Sequence, residues 1–221
     1  MVRTWVVMPM YNEATVVGSV VKQVLTVFPK VVCIDDGSTD DSADVAHAAG
    51  AVVLRHPVNL GQGASLQTGF EYALRDPLMT DVLTFDADGQ HQLQDARGMV
   101  DKLHAEHLDV VIGSRFLDDR TDMPHAKRAV LRAAAFYTRL TTGIALSDAH
   151  NGLRVIRRET VATIHLRQNR MAHASELIDQ LHDSKARWAE YPTHIVYTDY
   201  SKAKGQSLLN SVNILVELLF R

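Results

Sequence analysis

The stretch DVLTFDADGQHQ, running from Asp81 to Gln92, decides how the rest of the chain is read. Its first half is a short apolar run of the kind that forms a buried strand. Its second half places Asp86, Asp88, Gln90 and His91 within six residues. Acids this close repel one another, so a loop that serves only the fold gains little from them. A divalent cation does gain, because hard cations take oxygen ligands and need negative charge nearby. A solvated Asp-Gly turn is the competing reading of Asp86-Ala87-Asp88 taken alone.

Working outward, the same strand-then-polar-loop pattern recurs. Trp5–Met8, Val31–Ile34, Ala51–Leu54, Val82–Phe85 and Val110–Ile112 are Val-rich runs bounded by polar loops, as strands are. Ala14–Val27, Asp40–Ala49, Ala64–Leu74 and Gln94–His104 between them carry helical patterns. This alternation predicts an α/β fold, a mostly parallel sheet flanked by helices. In such sheets the ligand crevice lies beyond the carboxyl ends of the strands. The loops expected there are Pro9-Met10-Tyr11-Asn12-Glu13, Asp35-Asp36-Gly37-Ser38, the Gly-rich HPVNLGQGAS, Asp86–His91 and Gly113-Ser114-Arg115. Their convergence on one edge is the first strong argument for a site.

The second half changes character. Phe116–His125 has turn formers and no periodicity, and is expected to be a mobile loop that orders over bound ligand. A helix is expected over Ala126–Leu140, a strand at Leu153–Ile156, a helix over Ala174–Lys185 and a strand at Thr193–Tyr197. No repeat or linker interrupts the chain, so residues 1–205 are read as one domain and 206–221 as a C-terminal amphipathic helix.

Composition narrows the function. A net charge of −3 argues against a nucleic-acid binder, which would present a basic surface. Cys33 is the single cysteine, which excludes an intrachain disulfide and fits a reducing compartment. The apolar run at the N-terminus is too short for a signal peptide, and no run is long enough to cross a bilayer. The expectation is a cytoplasmic protein, soluble or peripheral at the inner face of the membrane.

Smaller motifs leave alternatives open. Ser38 and Thr39 suit a helix N-cap, but Asp36 precedes the cap and is free to accept hydrogen bonds from a nucleoside. Gly61 and Gly63 begin a dinucleotide fingerprint that Leu66 then breaks, so they are read as backbone turns near a ligand. No Gly-Lys-Ser/Thr occurs, which excludes a P-loop, and no His-Glu-x-x-His marks zinc. Arg128, Arg132 and Arg139 share one helix face, either a solvated stripe or an anion site beside the crevice.

Taken together, MPMYNEATVVGSVV, VVCIDDGSTDDS, NLGQGASLQTGF, LTFDADGQH, VIGSRF and SDAHNGLRVIRRE resemble, in order and spacing, the inverting glycosyltransferases of family 2, with the GT-A fold, on the dolichyl-phosphate mannosyltransferase side. HASELIDQL and EYPTHIVYTDYSKAKGQS extend the match. The resemblance implies that Pro9, Tyr11, Asn12, Glu13, Ile34, Asp36, Asp86 and Ala87 bind a nucleotide sugar, UDP- or GDP-hexose. Asp86, Asp88 and Gln90 would hold Mg²⁺ or Mn²⁺. Asp88, Arg115, Arg132, Asp148 and Arg154 would form the catalytic and acceptor side. Gln62, Leu153 and Asn151 depart from the family's pattern of a basic, an aromatic and a small residue. Two acceptors remain open. A sugar hydroxyl of a cell-wall or surface glycan needs a carboxylate base, for which Asp148 and Glu176 are candidates. A polyprenyl phosphate needs arginines, and Arg115, Arg132 and Arg154 are available. A nucleotidyltransferase is disfavoured by the missing Gly-rich, Lys-containing N-terminal signature, and an inactive nucleotide-binding subunit by the intact acidic pair.

SLLNSVNILVELLFR, read as a helix, puts Asn210, Asn213, Glu217 and Arg221 on one stripe and apolar residues around the rest. Such a helix is expected either to pack on its own domain or to dock on another copy, a membrane subunit or a bilayer surface. Truncation before Ser207 separates these outcomes. A folded product that loses oligomerisation or membrane recovery supports docking, and one that unfolds marks the helix as core.

Overall fold

The computed structural model describes residues 3–118, 120–121, 125–148, 151–170 and 172–196, so the C-terminal helix expectation lies outside the described residues. Seven strands and seven helices follow in the order β1 (Thr4–Met10), α1 (Val17–Leu25), β2 (Lys30–Asp35), α2 (Ser42–Ala48), β3 (Val52–Arg55), α3 (Gln62–Leu74) and β4 (Asp81–Thr84), then α4 (Leu93–Ala105), β5 (Val110–Ser114), α5 (His125–Thr142), β6 (Arg154–Arg157), α6 (Arg158–Val161), α7 (His173–Asp183) and β7 (Trp188–Pro192). The strands form one sheet in the order β3-β2-β1-β4-β6-β5-β7. Among the described residues no helix is long and apolar enough to cross a membrane.

The sheet is mostly parallel, as the strand–helix alternation predicts. β1 pairs in parallel with β2 and β4, bringing Met10 opposite Asp35 and Val7 opposite Thr84. The carboxyl ends of all three therefore open on one edge. β6 is the exception and runs antiparallel to both β4 and β5. Its direction follows from where the chain re-enters the sheet: Asn151 and Gly152 lie at the crevice edge, so β6 can only run away from it.

Alternation along β1 builds two cores at once. Val6, Met8 and Met10 face a layer formed with Val17, Val21 and Val24 of α1 and Met99 and Leu103 of α4. Trp5 and Val7 face the other layer, with Leu66 and Phe70 of α3 and Leu177, Ile178 and Leu181 of α7. Cys33 is wholly buried, and burial pushes its thiol up to about 12, so it is an inert core residue. At the far end of β6 two consecutive arginines brace the helices. Arg157 donates to the carbonyls of Leu103 and Leu108 at the end of α4. Arg158 donates to the carbonyls of Leu74 and Asp76 at the end of α3, at 2.9 and 2.7 Å. Carbonyls at a helix end lack intrahelical N–H partners; here Leu103 O also accepts from Leu108 N–H and Asp76 O from Met79 N–H.

One strand expectation fails. Residues 193–196 form no strand, and Tyr197 lies outside the described residues; among the described residues the last strand is Trp188–Pro192, paired in parallel with β5. Its residues are only half-buried at a sheet edge, so no apolar run announces it, and Pro192 ends it. The following residues instead cross the carboxyl edge, with Thr193 N–H bonding Ser114 O and Val196 N–H bonding Gln90 O.

Close packing of α3 on the sheet supplies a stability test. A Cβ added at Gly69 would lie 2.2 Å from Val7 Cγ1 and 2.9 Å from Ile34 Cδ1, both immobilised in the core. Overpacking costs about 1–3 kcal/mol, against a helix-propensity gain of about 1 kcal/mol for replacing glycine. Gly69→Ala is expected to lower the unfolding free energy by up to about 2 kcal/mol, read by urea denaturation; a more stable variant would show that the sheet yields there.

Candidate active site

A cavity of about 490 Å³ opens at the carboxyl edge of the sheet. Pro9, Tyr11, Glu13, Asp36, Asp86, Ala87, Asp88, Gln90, Arg115 and Arg154 all line it, so most residues singled out in the sequence meet there. Gln62, Ser65, Asn59, His173 and Ile195 line it as well. His173 opens the HASELIDQL stretch, but the sequence does not single it out as a site residue, because its place depends on α7 beginning at the cavity.

The first two loops are stitched together before any ligand is considered. Asn12 adopts a left-handed conformation (φ 54°), its N–H bonds Ser38 Oγ at 2.9 Å, and its Oδ1 accepts from Thr39 N–H at 2.9 Å. Glu13 N–H bonds Ser42 Oγ at 2.7 Å. Asn12 thus ties two loops without lining the cavity, and Ile34 is wholly buried in the core with no side-chain atom to offer.

Asp36 behaves differently from the free nucleoside acceptor expected from sequence. Its Oδ1 accepts from Leu60 N–H at 3.0 Å and lies 2.8 Å from His56 Nδ1, while Oδ2 accepts from Gly61 N–H at 2.7 Å. The carboxylate grips the Gly-rich loop. The glycines also have a purely internal use. Gly61 has φ +104°, and a Cβ on Gly61 or Gly63 would lie 2.2 or 2.0 Å from the carbonyl of Asn169 or Gln168. They permit backbone to approach backbone. That opposing segment is held in turn by Glu176, whose carboxylate accepts from Arg167 N–H and Gln168 N–H at 2.8–3.1 Å.

At the end of β4 the two acids have unequal surroundings. Asp86 Oδ2 lies 2.9 Å from His91 Nε2, and Oδ1 accepts from Gln62 Nε2 at 3.2 Å. Burial works against its charge, but the His91 hydrogen bond and the charges of His91, Arg154 and His173 outweigh it and hold the carboxyl below the usual range. Asp88 accepts from Gln90 N–H at 3.1 Å, and burial together with the charge of Asp86 pushes it up to about 6. Such an excess of negative charge suits a dication. Among the described residues no three His, Cys, Asp or Glu side chains form a cation cage. Mg²⁺ and Mn²⁺ do not require one, since Mg²⁺ is ordinarily held by one or two carboxylates plus substrate phosphates and water. The Gln90 side-chain amide is buried, and its nitrogen has no hydrogen-bond partner among the described residues. Its oxygen and nitrogen are interchangeable by a flip. Asp86, Asp88 and Gln90 therefore fit a hard divalent ion.

The opposite wall is basic. Arg154 is buried, and desolvation brings its guanidinium down to about 10, still cationic at neutral pH. Arg115 grips Asp148 through Nε at 2.6 Å and Nη2 at 2.7 Å, and its backbone N–H adds a third bond at 3.1 Å. Asp148 is buried behind Arg115 and does not line the cavity. Arg132 departs from expectation too: it is exposed on α5 with its guanidinium 5.7 Å from the centre of the Phe116 ring, outside the cavity lining. The Phe116–His125 segment is also less free than its composition suggests. Arg120 bonds Asp118, Asp95 and Pro192 O, and Thr121 Oγ1 bonds Thr193 O and Ile195 N–H. Residues 119 and 122–124 lie outside the described residues. Of the departures from the family pattern, Gln62 reaches Asp86, Asn151 bonds Thr193 Oγ1 and Leu153 N–H, and Leu153 is core.

Comparison with known proteins identifies the family and the fold. Residues 5–164 match the family described as glycosyl transferase family 2. An uncharacterized protein of Methanocaldococcus jannaschii is 33% identical over 98% of this chain and 91% of its own length. The UDP-N-acetylglucosamine–dolichyl-phosphate N-acetylglucosaminyltransferase of Methanococcus voltae is 26% identical over 97% of this chain and 94% of its own. Among solved structures, glucosyl-3-phosphoglycerate synthase from Mycobacterium tuberculosis with Mn²⁺, UDP-glucose and phosphoglyceric acid superposes with a TM-score of 0.73 at 20% identity, covering 98% of this chain and 78% of that one. The likeness establishes a shared fold, and the sequence match establishes that this chain is a glycosyltransferase belonging to glycosyl transferase family 2.

Proposed function

We propose that this enzyme transfers a hexose from a UDP- or GDP-sugar to the phosphate of a polyprenyl carrier, in one inverting displacement that depends on Mg²⁺ or Mn²⁺. The observation that carries the acceptor assignment is the state of the two carboxylates that sequence offers as bases. Asp148 is enclosed by three N–H donors of Arg115, and Glu176 by the backbone of residues 167–168. Neither is placed to take a proton from an alcohol. A phosphate monoester needs no such group, because its second pKa of about 6 leaves it largely dianionic at neutral pH. Arg115 and Arg154 on the cavity wall suit phosphate oxygens. The relative from Methanococcus voltae, named for a dolichyl-phosphate acceptor, supports the same assignment.

On the donor side, Pro9, Tyr11 and Glu13 form one wall for the nucleotide. Asp36 acts through the loop it grips, and Ala87 contributes backbone between the two acids. The N-termini of α3 and α7 border the same cavity, and helix N-termini favour anions such as a diphosphate. Asp86, Asp88 and Gln90 would hold the cation, which when bound offsets the diphosphate charge as the nucleotide departs. Glucosyl-3-phosphoglycerate synthase was crystallised with Mn²⁺ and UDP-glucose, which supports divalent-metal use in this fold. The rival is transfer to a sugar hydroxyl with Asp88 as base, favoured by the upward shift of its carboxyl.

The deciding assay incubates the enzyme with a panel of UDP- and GDP-hexoses, with and without a polyprenyl phosphate, with and without EDTA. A lipid-linked hexose that forms only with prenyl phosphate and free metal is the expected product. Transfer to glycan hydroxyls that ignores prenyl phosphate would establish the rival. Asp88→Asn should lower turnover by about a hundredfold or more, the scale of a lost transition-state electrostatic contact.

Asp88 also gives a stability prediction. The folded state raises its carboxyl from 3.8 to about 6, so it binds that proton more tightly than the unfolded chain. Stability from this group is therefore full at low pH and is lost as pH rises from about 4 to about 6. In EDTA, Asp88→Asn should raise Tm at pH 7, and the gain should fade toward pH 4. Scanning fluorimetry at three pH values checks this, and an unchanged or lower Tm at pH 7 refutes it.

A further inference from the structure

The geometry points to His91 as a positioning residue: its imidazole orients the Asp86 carboxylate toward the cation, an inference that rests on the metal reading above. His91 is nearly buried, with its side chain 3% exposed, and it separates the main cavity from a second one of about 350 Å³ behind it. The ring is held edge-on to Phe85, with centroids 5.2 Å apart at 68°. That contact fixes its rotation. A carboxylate only accepts hydrogen bonds, so Nε2 carries the proton in the 2.9 Å contact with Asp86 Oδ2. Nδ1 is then left buried with no hydrogen-bond partner among the described residues. A phenylalanine would fill the same wall without orphaning a polar atom, so wall-filling alone does not account for an imidazole here.

What the imidazole adds is aim. Gln62 restrains the other oxygen of Asp86 from the opposite side. Gly152 leaves the room for this clamp, since a Cβ there would meet Asp86 Oδ2 at 2.4 Å. Asp86 is thus restrained at both oxygens, while Asp88 is held through one backbone N–H. Partners outside the ligand shell that orient a coordinating group ordinarily change metal affinity tenfold to a hundredfold when removed.

The test measures Mn²⁺ affinity from the electron paramagnetic resonance signal of the free ion, in the presence of UDP and separately of GDP, against protein-free controls. His91→Phe should weaken Mn²⁺ binding by about tenfold or more. His91→Gln places an amide donor near the position of Nε2 and should bind close to wild type. His91→Asn places it near Nδ1 and should be as weak as the Phe variant. Should His91→Phe fail to fold, the Gln and Asn pair decides alone. Equal affinity for Gln and Asn, or wild-type affinity in all variants, overturns the positioning role and leaves the metal reading intact. A wild-type protein that binds no Mn²⁺ overturns both.

Discussion

The burial of two neighbouring acids, Asp86 and Asp88, is the constraint around which the crevice is organised. Two acids so close at a strand end cannot both be comfortably ionised at low dielectric, and the structure resolves the conflict asymmetrically. Asp86 receives His91, Gln62 and the charges of Arg154 and His173; Asp88 receives little and stays protonated to a higher pH. Around this pair the chain assembles residues from nearly its whole described length, from Pro9 to Ile195. Only a sheet edge brings such distant segments together with fixed spacing.

The supports behind the crevice are themselves polar, and that is where the chain spends carboxylates. Asp36 holds the Gly-rich loop, Glu176 holds the segment against which the glycines pack, and Asp148 holds Arg115. Glu190 adds another layer, accepting from Ser147 N–H and Oγ at 2.8 Å each. A crevice built this way keeps its shape through hydrogen bonds to backbone, which substitution of surface residues cannot easily disturb.

Much of this was legible in the sequence, for physical reasons. The strands buried on both faces are continuous Val-rich runs, and their polar loops must share an edge, so Asp86, Asp88, Gln90 and Arg115 could be placed together. Three things were not legible. Trp188–Pro192 is an edge strand whose half-buried residues lack the apolar signature. Asp148 and Glu176 are chemically apt as bases, and only the fold reveals that their oxygens are already engaged. Arg132 is on the expected helix, but its guanidinium lies over the Phe116 ring, since a guanidinium is also attracted to an aromatic face. Sequence supplies the chemical type of a side chain; which partner it has already found is a property of the fold.

The two arginines at the end of β6 carry a consequence for how the molecule comes apart. Arg157 closes β6 and Arg158 opens α6, and they reach into opposite helix layers, Arg157 to the end of α4 and Arg158 to the end of α3. Each layer is therefore fastened to the same dipeptide. Fraying of one helix end pulls on the strand that anchors the other, so the two halves of the core lack an independent melting boundary.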